Sequence, residues 1–226
     1  MSRVDRAVVL AAGVGSRLKW LTHHRPKALM DVAGVPAIVR VIRRLAGQGV
    51  RDIAINLHHH ADMIVEALGD GSHFGVRLVY SRETRLLDSG GGVRRAMELL
   101  PRGASLAVYN TDVMADIDLN ELANHLPGAG AAIALVPNPP HHPRGDFSLR
   151  YGLVTSAGPH PYTFAGVSVW HDAVLRPYPA DEAFPLVEPM RALIEEERLS
   201  GMLHHGHYWF DIGRPHDLMR ARRALF

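Results

Sequence analysis

The sequence predicts an α/β fold, a mostly parallel sheet flanked by helices, and three observations carry that expectation. Short apolar runs of strand length alternate with helical stretches of about ten residues through the first half, the pattern of βαβ units. The runs stop at glycines, at polar residues or at Pro101. Of 226 residues, 47% are apolar and 21% charged, enough core material for one large domain and too apolar for a disordered chain. A fold of this size buries roughly 70–75% of its unfolded surface.

Val8-Val9-Leu10-Ala11 reads as the first strand. Residues 36–46 carry apolar positions at helical spacing and end at Gly47 and Gly49. Strands are expected at 52–57, 76–80 and 105–110, with helices at 61–68 and 93–100 between them. The second half is richer in β: 131–136, 147–155, 162–170 and 202–210 read as strands, 184–199 and 215–225 as helices. Residues 137–145 are too rich in proline for regular structure. Asp116 and Asp118 precede 119–125 as helix caps would. Met190 and Met219 fall on apolar helical positions and read as core, whereas Arg40, Arg43, Arg44 and the acidic run 195–197 read as exposed helix faces. No repeat or linker interrupts the pattern, so 1–226 is read as a single domain.

Composition excludes several classes. There is no cysteine, hence no disulfide, thiolate zinc site or thiol catalysis. No apolar run approaches the ~18 residues of a membrane span. The polar stretch 1–6 leads straight into a strand, so the sequence carries no secretory signal and is expected to be cytoplasmic. The formal charge of +2 is too small a surplus to mark a nucleic-acid binder. Fifteen histidines, clustered at 23–24, 58–60, 141–142 and 204–205, raise a metal-binding hypothesis. Successive side chains on a strand alternate faces, however, so His58, His59 and His60 cannot all meet one ion.

In open parallel sheets, ligands bind over the carboxyl ends of strands. That rule singles out 11–17, 58–60, 81–92, 110–116 and 211–213. The first of these, Leu10-Ala11-Ala12-Gly13-Val14-Gly15-Ser16-Arg17, follows strand one directly. Its glycines let backbone amides approach an anion, and Arg17 and Lys27 add cations on either side. Taken alone, this Gly-x-Gly is also compatible with an ordinary strand-to-helix turn. It lacks the third glycine of a dinucleotide fingerprint. Gly90-Gly91-Gly92 reads either as flat backbone against a base or as a loop needing unusual φ angles.

Leu-Ala-Ala-Gly-x-Gly-x-Arg followed by Thr22 and Pro26-Lys27 resembles the signature of sugar-phosphate nucleotidyltransferases. The resemblance continues through Asp88-Ser89-Gly90-Gly91-Gly92, Asn110-x-Asp112, Phe164-Ala165-Gly166 and Trp209-Phe210-Asp211-Ile212-Gly213. Asn138-Pro139-Pro140-His141-His142-Pro143-x-Gly145-Asp146-Phe147 is similar to the subgroup of N-acetylmuramate 1-phosphate uridylyltransferases of cell-wall recycling. The resemblance implies a Rossmann-like sheet with a small β-rich sugar-binding insertion. It implies transfer of a nucleotidyl group, UTP being the expected donor, to a sugar 1-phosphate, N-acetylmuramic acid 1-phosphate being the expected acceptor, with release of pyrophosphate. Arg17 and Lys27 would be the catalytic cations. Leu10, Ala11, Ala12, Gly13, Gly15, Asp88, Gly90, Gly91 and Asn110 would hold the nucleotide, and Asp146, Gly152 and Gly166 the sugar. Asp112 and Asp211 would hold Mg²⁺. The implied partners are the triphosphate and the sugar phosphate, with no nucleic acid or membrane, for a monomer or small homo-oligomer.

Three positions depart from the family's pattern: Asp88 replaces a glutamate, Trp20 a proline and Thr111 a glycine. Trp20 reads either as a ring lying flat over substrate or, in preference, as a cap on the core, and Thr111 sets a Cβ beside the nucleotide. Three rival readings remain: a mannose 1-phosphate guanylyltransferase, a non-catalytic nucleotide-sugar sensor, and a His-ligated zinc or nickel protein.

Overall fold

The computed structural model describes residues 4–13, 15, 18 and 22–226. A nine-stranded sheet runs through it. Its first strands are β1 (Arg6–Leu10), β4 (Asp52–Leu57), β5 (Arg77–Arg82) and β6 (Ser105–Asn110), parallel in the order β5-β4-β1-β6. The chain moves outward from β1 to β5, then returns to lay β6 on the other side of β1. Loops leaving β1 and β6 therefore diverge, opening the crevice where such sheets bind ligands.

The sheet continues through β11 (Tyr162–His171), β8 (Ala131–Pro137), β12 (Leu199–Leu203), β10 (Leu153–Thr155) and β9 (Ser148–Arg150). β11 is antiparallel to both β6 and β8. The β-rich second half thus extends the same sheet. Two small antiparallel sheets flank it: β2 (Asp31–Val32) with β3 (Val35–Pro36), and β7 (Val113–Ala115) with β13 (Trp209–Asp211).

Strand alternation splits the core between the two faces. Ala7, Val9, Ile53, Ile55, Ala107 and Tyr109 face one cluster, which also buries α1 (Ala37–Gly47), α2 (Ala61–Leu68), α4 (Leu119–Asn124) and α7 (Pro215–Ala224) through residues such as Ile42, Ile64, Leu122 and Leu218. Val8, Ala54, Leu106 and Val108 face the other, against α3 (Asp88–Ala96) and α6 (Val187–Glu195), with Leu175 of the short α5 (Asp172–Leu175).

The sequence pattern differs from the structure in several places. Arg40 and Arg44, expected on an exposed face, are half-buried and donate to the Val32, Ala33 and Ile117 carbonyls. The helix expected at 93–100 begins at Asp88 and tightens into a 3-10 turn at Met97–Leu99, so the three glycines form its first turns and not a loop before it. Residues 147–155 are two strands, because Tyr151 (φ 52°) and Gly152 (φ 80°) make a tight turn of the kind that suits a twisted hairpin. The helix at 184–199 shrinks to α6, ending before Glu197 at φ 55°. The strand at 202–210 breaks into β12 and β13. Met190 is buried, but Met219 is 47% exposed on the outer side of α7.

Asp118 caps α4 as expected, accepting from the Asn120 and Glu121 amides at 2.8 and 3.1 Å. Asp116 does something else: it holds the turn between β12 and β13, accepting from the His207 amide at 2.7 Å and lying 3.0 Å from His204 Nε2. Burial pushes its carboxyl up, but the His207 and Tyr208 amides outweigh that and keep it below the usual carboxylate range.

Candidate active site

Over the carboxyl ends of β1, β4, β5 and β6 lies a cavity of about 680 Å³. Its floor is the end of β1 and the loop beyond it: Leu10, Ala11, Ala12, Gly13 and Gly15. Gly15 has φ +67°, and a Cβ there would press on Thr22 and Lys27, so a residue with no side chain is required for the loop to fold over Lys27. Lys27 opens a 3-10 turn, Lys27–Leu29, whose Ala28 and Leu29 are buried and fix the lysine against the floor. Lys27 Nζ donates to Asp112 Oδ2 at 2.5 Å, with side-chain exposures of 11% and 23%.

Asn56 at the end of β4 and Glu83 just after β5 form a buried brace on one wall. The Ala11 amide donates to Asn56 Oδ1 at 2.8 Å, and Asn56 Nδ2 donates to Glu83 Oε1 at 2.8 Å. Glu83 Oε2 accepts from the Leu87 amide at 3.0 Å. One chain of hydrogen bonds thereby fixes the β1 loop relative to the entrance of α3, where Asp88 and Ser89 border the cavity. On the opposite wall, Thr111 Oγ1 donates to the Leu10 carbonyl at 2.7 Å, tying the ends of β6 and β1 together.

A second cavity, of about 280 Å³, adjoins the first and shares Asn110 and Asp112 with it. A bulge in β11 makes room for it. Phe164 pairs with Leu135 but Ser168 with Ile133, and pairing of β11 with β6 begins only at Val167. At the bulge, Gly166 (φ +79°) packs so near Val113 and Asn110 that a Cβ would stand 2.7 Å from Val113 Cγ2. Trp209 Nε1 donates to the Ala165 carbonyl at 3.0 Å, joining the bulge to β13. Asp211 pairs in register with Val113, and the Ile212 amide donates to the Asp112 carbonyl at 2.8 Å. Asp112 and Asp211 are therefore held on adjoining backbones, both bordering this second cavity.

Residues 6–160 match the family model described as "Nucleotidyl transferase". Over 225 residues the chain is 38% identical to N-acetylmuramate alpha-1-phosphate uridylyltransferase of Neisseria meningitidis serogroup B, covering 96% of each. The chain belongs to the nucleotidyl transferase family. It is also 30% identical to the N-acetylmuramate alpha-1-phosphate uridylyltransferase of Caulobacter vibrioides, covering 97% of this chain and 96% of that one. The structure of HddC from Yersinia pseudotuberculosis complexed with GMP-PN has the same fold, with a TM-score of 0.80 at 21% identity, covering 99% of this chain and all of that one.

Of the residues marked in this nucleotidyltransferase from sequence, Leu10, Ala11, Ala12, Gly13, Gly15, Lys27, Asp88, Asn110 and Asp112 converge on the larger cavity. Gly166 and Asp211 border the smaller one. Arg17 and Trp20 lie outside the described residues. Four marked residues are placed elsewhere. Gly90 and Gly91 turn away from the cavity: both amides donate to the Phe184 carbonyl, and a Cβ on either would strike the 182–184 segment. Their lack of a side chain serves close packing of that segment on α3. Gly152 sits in the β9–β10 turn at the far edge of the sheet. Asp146 accepts from the Phe164 amide at 2.9 Å and meets His142 Nε2 at 2.9 Å, so it shapes the 137–147 loop from behind.

Sequence reasoning missed Asn56, Glu83 and Arg214. The first two close strands four and five, and a polar residue at a strand end is an available but nonspecific signal. The histidines do not converge: no group of three or more His, Asp or Glu able to hold a metal forms among the described residues. His58 Nδ1 instead meets the Glu83 carbonyl at 2.9 Å.

Proposed function

We propose that this nucleotidyltransferase moves a uridylyl group from UTP to N-acetylmuramate 1-phosphate, giving the nucleotide-sugar and pyrophosphate. What supports the reading is the meeting of two cavities at Asn110 and Asp112, beside Lys27, in a chain that matches a uridylyltransferase of that substrate from end to end. The larger cavity takes the triphosphate and the smaller one the sugar phosphate.

An oxygen of the sugar phosphate attacks the α-phosphorus. The bond from that phosphorus to the oxygen bridging to the β-phosphorus breaks, and pyrophosphate leaves with the electron pair. No protein nucleophile is needed; the chain's task is alignment and charge neutralisation. Lys27 supplies a cation where the α-phosphate and the incoming phosphate must approach one another against mutual repulsion. Arg17 would hold the β- and γ-phosphates, and the Gly13 and Gly15 backbone lies beneath them. The Asn56–Glu83 brace keeps the Ala11 amide, and with it the loop, in place as the triphosphate enters. Asp88 and Ser89 border the cavity where the pyrimidine would lie.

Asp112 and Asp211, on adjoining backbones at the smaller cavity, offer hard carboxylate oxygens, the donor chemistry Mg²⁺ prefers, and nucleotide oxygens and waters would complete its shell. The ion would offset phosphate charge during transfer. In this reading the enzyme serves cell-wall recycling in the cytoplasm as a monomer or small homo-oligomer, without nucleic acid or membrane partners. None of its described helices is long and apolar enough to cross a membrane.

A matrix of four nucleoside triphosphates against several sugar 1-phosphates with Mg²⁺, read as pyrophosphate release, tests the assignment. The largest kcat/KM is expected for UTP with N-acetylmuramate 1-phosphate. A maximum at GTP with mannose 1-phosphate would replace this reading with the guanylyltransferase one. Release from no pair at all would leave a nucleotide-sugar sensor.

A further inference from the structure

The smaller cavity is lined by carboxylates and by basic side chains. Asp112 and Asp211 border it where the sugar's phosphate must lie if it is to meet Lys27 and the nucleotide. Arg214 and the two histidines of the 137–147 loop, His141 and His142, line it as well. Arg214 immediately precedes α7 as its N-cap residue; its carbonyl accepts from the Leu218 amide, while its guanidinium makes no hydrogen bond or ion pair among the described residues. Two other arginines of that segment are engaged: Arg222 Nε donates to the Asp31 carbonyl at 3.0 Å, and Arg220 lies 3.9 Å from Asp217. The histidines are held from behind. His141 Nδ1 lies 3.9 Å from Asp217 in the first turn of α7, and His142 Nε2 meets Asp146. Asp146 occupies one ring nitrogen of His142, and both histidines line the cavity.

A guanidinium fork left without a protein partner at a ligand cavity matches a planar carboxylate, which it can bind through two parallel hydrogen bonds. The 1-phosphate is committed to Lys27 and the nucleotide, so an anion bound by Arg214 belongs to another part of the sugar. We propose that Arg214, with His141 beside it, forms a carboxylate subsite that selects sugar 1-phosphates bearing a carboxylate on a ring substituent. The inference rests on the transfer reaction proposed above; in N-acetylmuramate 1-phosphate the matching group is the lactyl ether carboxylate. Arg214 is a specificity-determining residue in this scheme, with no part in the reacting centre.

The test compares KM and kcat for N-acetylmuramate 1-phosphate with those for N-acetylglucosamine 1-phosphate, the same ring without the lactyl group, in wild type, Arg214→Gln and Arg214→Lys. The Gln variant is expected to raise KM for the carboxylate-bearing sugar roughly 10–100-fold, as for loss of a hydrogen bond to a charged group. Its KM for the neutral sugar and both kcat values should stay within about twofold, and Lys should restore part of the loss. An equal rise for both sugars would place Arg214 on the phosphate and overturn the subsite, as would unchanged KM values in a wild type that prefers the carboxylate-bearing sugar. A wild type with no such preference would overturn the substrate assignment itself. Because Arg214 is exposed, an unchanged thermal midpoint is expected in both variants.

Discussion

At the amino end of β1, Arg6 meets Asp172 through two nitrogens, at 2.9 and 3.2 Å, and spends the same nitrogens on the Pro101 and Ser105 carbonyls at 2.7 Å each. Arg176 adds a third contact to Asp172 at 2.9 Å, and the side chains of Arg6 and Asp172 are each 4% exposed. At the carboxyl ends of the same strands, Lys27 meets Asp112 through a single nitrogen beside two open cavities. The first pair is closed, and of the Arg6 nitrogens only Nε, 3.8 Å from Asp5, lacks a hydrogen-bond partner. The second borders open space on both sides, within reach of a ligand. The contrast teaches that one sheet can keep an ion pair closed at one end and, at the other, set a pair beside open cavities.

Breaking each pair should separate these roles. Asp172→Asn strands the buried Arg6 charge and should cost roughly 3–5 kcal/mol, or about 6–20 °C in thermal midpoint, with kcat of the folded fraction near normal. Calorimetry on a variant melting within 2 °C of wild type would make the closed network dispensable. Lys27→Ala should do the reverse, lowering turnover by roughly 10²–10³-fold while the melting curve hardly moves. Near-normal turnover would remove Lys27 from the reacting centre.

A smaller effect is expected between the two extremes. Asn56→Ala leaves the Ala11 amide and the Glu83 carboxylate without their shared partner, so KM for the triphosphate should rise about tenfold. Unchanged KM with lowered stability would reduce the brace to scaffolding. The smallest effect concerns pH. Asp116 is held below its ordinary range, so its contribution to stability is present above that range and fades as pH falls through its lowered value. The stability gap between wild type and Asp116→Asn should therefore be present at neutral pH and close in acid; a gap independent of pH would contradict this.

The alternation of apolar runs made β1, α1, β4, α2 and β6 legible almost to the residue, because each buries a regular face in one of two cores. The glycine loop after β1, Lys27 and the two aspartates were legible as motifs. Other features depend on contacts distant in sequence. Asn56 and Glu83 gain their meaning only from meeting each other and Ala11. Gly90 and Gly91 resemble a ligand loop in one dimension, yet what demands glycine there is a backbone segment more than ninety positions away. Asp146, similarly, is a motif residue that acts through His142 and Phe164.

The strap at 182–184 also has a bearing on biosynthesis. Once Asn110 has emerged from a ribosome, the four parallel strands β5-β4-β1-β6 exist as sequence, yet β6 lacks its neighbour until Tyr162–His171 is made. The glycine face of α3 stays uncovered still longer, until Phe184 arrives. During that interval the nascent chain exposes an open strand edge and a bare helix groove, both invitations to aggregate. The half of the molecule that holds the glycine loop after β1 thus depends on the later half for its closure, so an amino-terminal fragment, however complete its motifs, would lack the surfaces that finish it.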